Sequence, residues 1–214
     1  MAANKRVAVI ATSTRTPRIG TKVAELVRDV IAPDAAAADV ELAFVEVASF
    51  NLPVFDEKLL PAQVPAFGEF AHEHSRAWSR EIARHDAYVL VVPEYNYGLA
   101  GGTKNAIDYL YNEWIGKPVA IVSYGIAGGN SASSQAQKTL EGMKLRVAPT
   151  RPALPFAGGG AGPDLMAAIG GEIGDESREN WKAEAETIRK AFAELRELLD
   201  APPPPPAAAA KSES

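Results

Sequence analysis

Three clusters of polar and small residues carry chemistry that a hydrophobic core does not need. The first is Thr12-Ser13-Thr14-Arg15-Thr16-Pro17-Arg18-Ile19-Gly20. Hydroxyls and backbone N–H groups donate hydrogen bonds, and two arginines and an expected helix start add positive potential, so the run suits a bound phosphate. An N-capping loop with solvated arginines is the plainer account of the same residues. A Walker A loop is excluded, since no Gly-x-x-x-x-Gly-Lys-Ser/Thr occurs here, and a Gly-x-Gly-x-x-Gly fingerprint fails with Gly20 alone available. Hydroxyl-rich chemistry favours a mononucleotide phosphate over a pyrophosphate laid across a bare turn. The second cluster is Pro93-Glu94-Tyr95-Asn96-Tyr97-Gly98, and the third is Ser123-Tyr124-Gly125-Ile126-Ala127-Gly128-Gly129-Asn130-Ser131. Tyrosines beside an asparagine and glycines suit a flat heteroaromatic ligand, whose edge meets backbone polar groups and whose face meets aromatic side chains. Turn glycines and half-buried tyrosines are the alternative reading. Lys104 and Asp108, one helical turn apart, read as a surface ion pair.

These clusters act together if the elements between them bring them to one place. Apolar runs at 6–11, 87–92 and 118–123 are nearly continuous and valine-rich, as in strands buried on both faces of a parallel sheet. The run at 40–47 is interrupted by Glu41 and Glu46, which suits an outer strand. A fifth, short strand is expected at 145–148. Apolar residues at steps of three and four predict helices at 19–31, 66–84, 103–114, 131–144 and 177–199, the last with Asp175 or Ser177 as N-cap. The expected fold is therefore α/β: a doubly wound, five-stranded parallel sheet in the order 2-1-3-4-5 with helices on both faces. In that order strands one, three and four are neighbours, and their C-terminal loops are the three clusters. A phosphate loop next to two planar-ligand loops describes flavin mononucleotide (FMN).

Composition narrows the alternatives. The 214-residue chain has no cysteine, which removes disulfides, thiolate metal sites and a cysteine nucleophile. Three histidines make a histidine-rich metal centre improbable on numbers alone. The net charge of −5 offers no cationic field for nucleic acid, and no apolar run is long enough to suggest a membrane span, so the expectation is a cytoplasmic protein. Residues 1–200 are expected to form one domain. Residues 150–174, rich in glycine and proline, read as an irregular excursion, and APPPPPAAAAKSES at 201–214 reads as a disordered tail.

STRTPRIG (13–20), PEYNYG (93–98), TKNAIDYL (103–110) and SYGIAGG (123–129) occur in one order. Over about residues 5 to 150 the sequence resembles the NADPH-dependent FMN reductase family, the flavodoxin-like group that includes quinone and azo-dye reductases. The resemblance implies non-covalent FMN and a homodimer or homotetramer. Ser13 and Arg15 match phosphate-binding positions, with Arg18, Ile19 and Gly20 opening the helix beneath. Pro93, Glu94, Tyr95 and Asn96 match the segment along the ribityl chain and ring, with Tyr97 nearby. Ser123, Tyr124 and Gly125 match the loop flanking the ring. The implied activity is hydride transfer from NADPH or NADH through FMN to a quinone, azo compound, free flavin or similar small acceptor, with the flavin rather than a side chain as the reacting group. A flavodoxin-type electron carrier and an FMN-binding module without NAD(P)H oxidation are the rival readings. A serine hydrolase lacks its Gly-x-Ser-x-Gly elbow.

Overall fold

The valine-rich runs become strands because each of their side chains finds an apolar partner on one side or the other. The computed structural model describes residues 4–64 and 68–202. In chain order the first elements are β1 (Lys5–Ala11), α1 (Gly20–Ala37), β2 (Val40–Glu46), α2 (Glu73–Ala83), β3 (Ala87–Tyr95), β4 (Gly98–Leu99) and α3 (Gly101–Asp108). They are followed by β5 (Pro118–Gly125), α4 (Asn130–Gly142), β6 (Arg146–Val147), β7 (Ala153–Pro155), α5 (Pro163–Ile169), α6 (Asp175–Lys182) and α7 (Ala185–Asp200). The sheet runs β2-β1-β3-β5, all parallel, with β6 and β7 both on the far side of β5 and β4 turning back on β3. Counting principal strands, this is the expected doubly wound order, and β2 is the outer strand that its glutamates predict.

Val7, Val9, Val89, Val91 and Val122 face α1 and α7, where Val27, Ile188 and Phe192 cover them. Ala8, Ile10, Leu90, Val92 and Ile121 face Trp78 and Ile82 of α2, Ile107 of α3 and Leu140 of α4. Strands apolar on both faces cannot fix their register by hydrophobic pattern, because a one-residue slip exchanges one apolar face for another. Polar pins do so instead. At the lower end Arg6 N donates to Asp86 Oδ2 at 2.8 Å while Asp86 N donates to Arg6 O at 2.8 Å. At the upper end Thr12 Oγ1 donates to Val91 O at 2.8 Å and accepts from Thr103 Oγ1 at 2.9 Å. Both threonines are buried.

Several boundaries differ from the sequence pattern. The helix expected from residue 66 begins at Glu73. Ala66 and Phe67 lie outside the described residues, and the amides of Ala71 and His72 donate to the Glu57 carboxylate instead of entering a helix. α3 stops at Asp108 rather than residue 114. The chain after it turns inward, so that Trp114 packs edge-on against Trp78 and Tyr88 and the buried Glu113 accepts from Ser79. The strand expected at 145–148 is β6, and past Pro149 and Pro152, which cannot donate to a ladder, an unexpected strand, β7, pairs with the other end of β5. The last helix is two helices, α6 and α7, and α6 is capped neither by Asp175 nor by Ser177. Gly174 is its N-cap, and the Asp164 carboxylate accepts the Ser177 amide at 2.5 Å. A Cβ on Gly174 would lie 2.1 Å from Asp164 Cγ, so glycine is required there. The excursion at 150–174 contains β7 and α5. Of the expected tail, 203–214 lie outside the described residues.

The first turn of α1 is locked to the end of β2. Glu46 accepts from Arg18 Nη2 at 3.0 Å and from the Thr21 hydroxyl. The Thr21 hydrogen bond, with the Arg18 guanidinium adding to it, holds the Glu46 carboxyl below its ordinary pKa of 4.5. A carboxylate with a lowered folded pKa stabilises the fold above its unfolded pKa and ceases to do so as pH falls through the folded value. Glu46→Gln is thus expected to lower stability at pH 7 by about 0.5–1 kcal/mol, the scale of a partly exposed pair. In urea titrations the difference from wild type should shrink once the pH drops below 4.5. Thr12→Val removes the upper pin and should cost about 1 kcal/mol in the same measurement.

Candidate active site

Because β1, β3 and β5 are adjacent and parallel, the loops leaving their C-terminal ends share one crevice. Its volume is about 520 Å³, within the range of small-molecule sites, about 300–1,000 Å³. The β1 loop forms one end. Ser13 is buried, and its Oγ lies 3.4 Å from the Tyr95 hydroxyl. Gly20 begins α1 directly beneath. A Cβ there would stand 2.7 Å from Ser13 Cβ and 2.8 Å from the Tyr124 hydroxyl, so only glycine lets both side chains rest on the helix start. The first turn of α1 has no side-chain cap, which leaves its amides available to an anion. Ile19 is buried at the same end and lines the crevice.

The two arginines of this loop have separate partners. Arg18 is turned toward Glu46 and does not line the crevice. Arg15 does line it, and its guanidinium donates to two carbonyls at the end of α5: Nη2 to Ala168 O at 2.9 Å and Nη1 to Ile169 O at 3.2 Å.

On the β3 side Pro93, Glu94, Tyr95 and Asn96 line the crevice. Glu94 has a structural task as well: its Oε2 accepts the Ser131 and Ala132 amides at 2.8 and 3.1 Å, capping α4 and tying the β3 loop to the β5 loop. Asn96 and Tyr97 form a two-residue turn from β3 into β4, with φ of 50° and 60°. Positive φ at both positions is the signature of a type I′ hairpin turn and carries the Tyr97 ring outward, 86% exposed and off the crevice wall.

The β5 side contributes Tyr124, Gly125 and Ile126. Burial, first of all, raises the Tyr124 phenol pKa well above its ordinary value, with the Tyr95 phenol adding to the effect. The hydroxyl stays protonated and remains a donor throughout the physiological range. Ser123 is fully buried, and its Oγ donates to Gly128 O at 2.7 Å, so it shapes the loop from behind rather than facing the crevice. Gly129, at φ +76°, brings its backbone against Tyr124, where a Cβ would be 2.9 Å from the Tyr124 carbonyl oxygen.

Of the residues singled out by sequence, Ser13, Arg15, Ile19, Pro93, Glu94, Tyr95, Asn96, Tyr124 and Gly125 meet in this crevice, with Gly20 supporting its floor. Arg18, Tyr97 and Ser123 stand outside the lining. The fourth wall, Phe156, Leu165, Ala168 and Ile169, comes from the stretch read as irregular. Its signal was present: Pro163 at a helix start, followed by Leu165, Ala168 and Ile169 at steps of three and one, gives a short helix with one apolar face.

The donors and walls fit a mononucleotide with a flat ring. Ser13, uncapped amides and a guanidinium gather at one end, a glycine floor that a Cβ would fill lies below, and apolar and aromatic walls flank the rest. The sequence pattern of the NADPH-dependent FMN reductase family matches residues 5–159. The chain is 50% identical over 202 residues to the NAD(P)H-dependent FMN reductase ntnL of Nectria sp., covering 92% of this chain and 98% of that protein. It is 35% identical over 144 residues to a quinone reductase of Pseudomonas putida, covering 63% and 68% of the two chains. Among solved structures, an oxidoreductase from Corynebacterium diphtheriae superposes with a TM-score of 0.61 at 17% identity, covering 91% of this chain and 96% of that one, a likeness of fold. With its crevice, its strand order and the span of that match, the chain belongs to the NADPH-dependent FMN reductase family.

Proposed function

We propose that the crevice holds FMN with the phosphate at Ser13, Arg15 and the first amides of α1, and the ring between the β3 and β5 loops. The single observation behind this reading is the convergence of the three strand-end loops on one cavity with anion donors at one end and apolar walls elsewhere. Held there, FMN would supply the redox chemistry, taking a hydride from NAD(P)H for delivery as electrons to a quinone, azo compound or free flavin. The protein's own residues bind and orient. Ser13 and the α1 amides hold the anion without capping competition, Gly20 allows Ser13 and Tyr124 to approach, and Tyr124 keeps a neutral donor beside the cradle. Pro93, Ile126 and Phe156 give apolar contact where a ring would lie. None of the lining side chains has to act as an acid or base for hydride transfer.

Among the described residues no helix is long and apolar enough to cross a membrane. A cytoplasmic enzyme that works as a homodimer or homotetramer on small acceptors is the reading that accompanies this assignment, supported by family membership.

Purified protein should show the absorbance of bound oxidised flavin, or acquire it on adding FMN with quenching of flavin fluorescence. Ser13→Ala should weaken FMN by about 1–2 kcal/mol, roughly five- to thirtyfold in Kd, and leave riboflavin, which has no phosphate, nearly unaffected. Gly20→Ala should weaken both flavins, because the added methyl displaces Ser13 and Tyr124 together. Anaerobic stopped-flow mixing of the FMN-loaded protein with NADPH and with NADH decides between enzyme and carrier. Bleaching of the flavin on the timescale of turnover is expected, and its failure with both nucleotides would assign an electron carrier.

A further inference from the structure

α5 crosses the mouth of the crevice from the β5 loop to the β1 loop. At its entry Phe156 N donates to Gly125 O at 3.0 Å, and a Cβ on Gly160 would touch Ile126 at 3.8 Å. Past its end, a Cβ on Gly171 would lie 3.2 Å from Pro17 Cβ and 3.5 Å from the Arg18 nitrogen. The segment is therefore seated on both banks. Its N-terminal side is anchored in the protein: Asp164, 6% exposed, accepts the Ser177 amide, and Ser177 Oγ in turn accepts the Ala157 amide at 2.9 Å. Its C-terminal side is held by Arg15 through the Ala168 and Ile169 carbonyls. Leu165, Ala168 and Ile169 look into the crevice, while Met166 on the outer face is 66% exposed.

The two ends are not equally secure. The Asp164 anchor is buried, whereas Arg15 is an exposed side chain whose bonds to α5 compete with water. A guanidinium has five N–H donors in a rigid plane. Two face α5, and among the described residues the Nε donor meets no protein acceptor. An anion on that free edge would add charge-assisted bonds and fix the guanidinium, which lowers the entropy cost of holding α5 on its other edge.

We propose that α5 is the specificity element of this crevice, with Leu165 and Ile169 as the wall an aromatic acceptor meets, and Arg15 as the positioning residue that fixes α5 by holding its last carbonyls on one guanidinium edge and the cofactor phosphate on the other. The inference rests on the FMN reading above and extends it to acceptor choice. Linkage requires the effect to be mutual: a phosphate that steadies α5 is bound more tightly because α5 is in place.

Hydrogen exchange of the peptide spanning residues 163–171 tests the positioning role. In the wild-type protein, saturating FMN should slow this exchange by about an order of magnitude. Inorganic phosphate at matched ionic strength should slow it in part, and riboflavin little. In Arg15→Gln the peptide should exchange fast with or without FMN. The wall is tested on FMN-loaded Leu165→Ala and Ile169→Ala by flavin difference spectra with 1,4-benzoquinone and 1,4-naphthoquinone. Each variant should lose roughly three- to tenfold in affinity for the two-ring quinone, the scale of a partly buried aliphatic contact, and less than twofold for the one-ring quinone. FMN binding with no change in exchange at 163–171, equal slowing by riboflavin, or equal loss for both quinones would overturn the proposal while leaving the FMN site standing. Absence of FMN binding to the wild type would remove both.

Discussion

The register of β1 against β3 is the constraint on which the site depends. Each strand is buried on both faces, so apolar burial stabilises the sheet without choosing one alignment over its neighbours. The reciprocal Arg6–Asp86 backbone and side-chain bonds below, and the Thr12 hydroxyl on Val91 O above, make that choice. A slip of one residue would move the β1 loop by about 3.3 Å along the strand. That is about the length of the Ser13–Tyr95 contact itself, 3.4 Å, so the β1 and β3 loops would no longer meet across the crevice. Thr12 is therefore a structural residue at the edge of a functional loop. Its hydroxyl is consumed by the frame, and the next residue, Ser13, is left for the cavity.

A second constraint is close approach. Gly20 and Gly102 stand where a Cβ would collide with a neighbouring loop, at Tyr124 and at Thr14 respectively, and Gly129 stands where a Cβ would collide with Tyr124 inside the β5 loop. The three loops meet side chain against backbone, with no spare layer between them. Glu94 then joins the β3 and β5 loops by capping α4. The β1, β3 and β5 walls of the crevice are thus fixed to one another before any ligand enters, which reduces the ordering cost of binding on those three sides.

Much of this was legible in the sequence because it is local. Valine runs state burial on both faces, the glutamates of β2 state an edge, and the loop compositions state which strand ends carry polar work. What was not legible depends on distant partners. Nothing near Arg18 says that Glu46 will take its guanidinium, and nothing near Ser123 says that its hydroxyl will turn back to Gly128. Pro149 and Pro152 do announce a broken strand, yet the return of 153–155 to the upper half of β5 follows from the open pairing edge that β6 leaves there. The cap of α6 is another such case, since the carboxylate on the Ser177 amide is that of Asp164, from a separate helix, while Asp175 and Ser177 have only sequence proximity to recommend them.

Arg15 and Arg18 show why charge in a sequence is not the same as field in a site. They are three residues apart in one loop, with equal charge and similar reach. Arg18 lies over the end of β2, meets a carboxylate, and is neutralised locally as part of the α1–β2 joint. Arg15 lies over the crevice and, among the described residues, meets carbonyl dipoles alone, which satisfy donors without cancelling charge. Arg15 and the start of α1 are therefore the positive groups along this side of the crevice, and the contact that leaves Arg15 charged also holds α5 against it. On the proposed FMN reading, anion recognition and the shape of the acceptor side both depend on one contact, that of the Arg15 guanidinium with the last carbonyls of a helix that the glycine-rich excursion supplies.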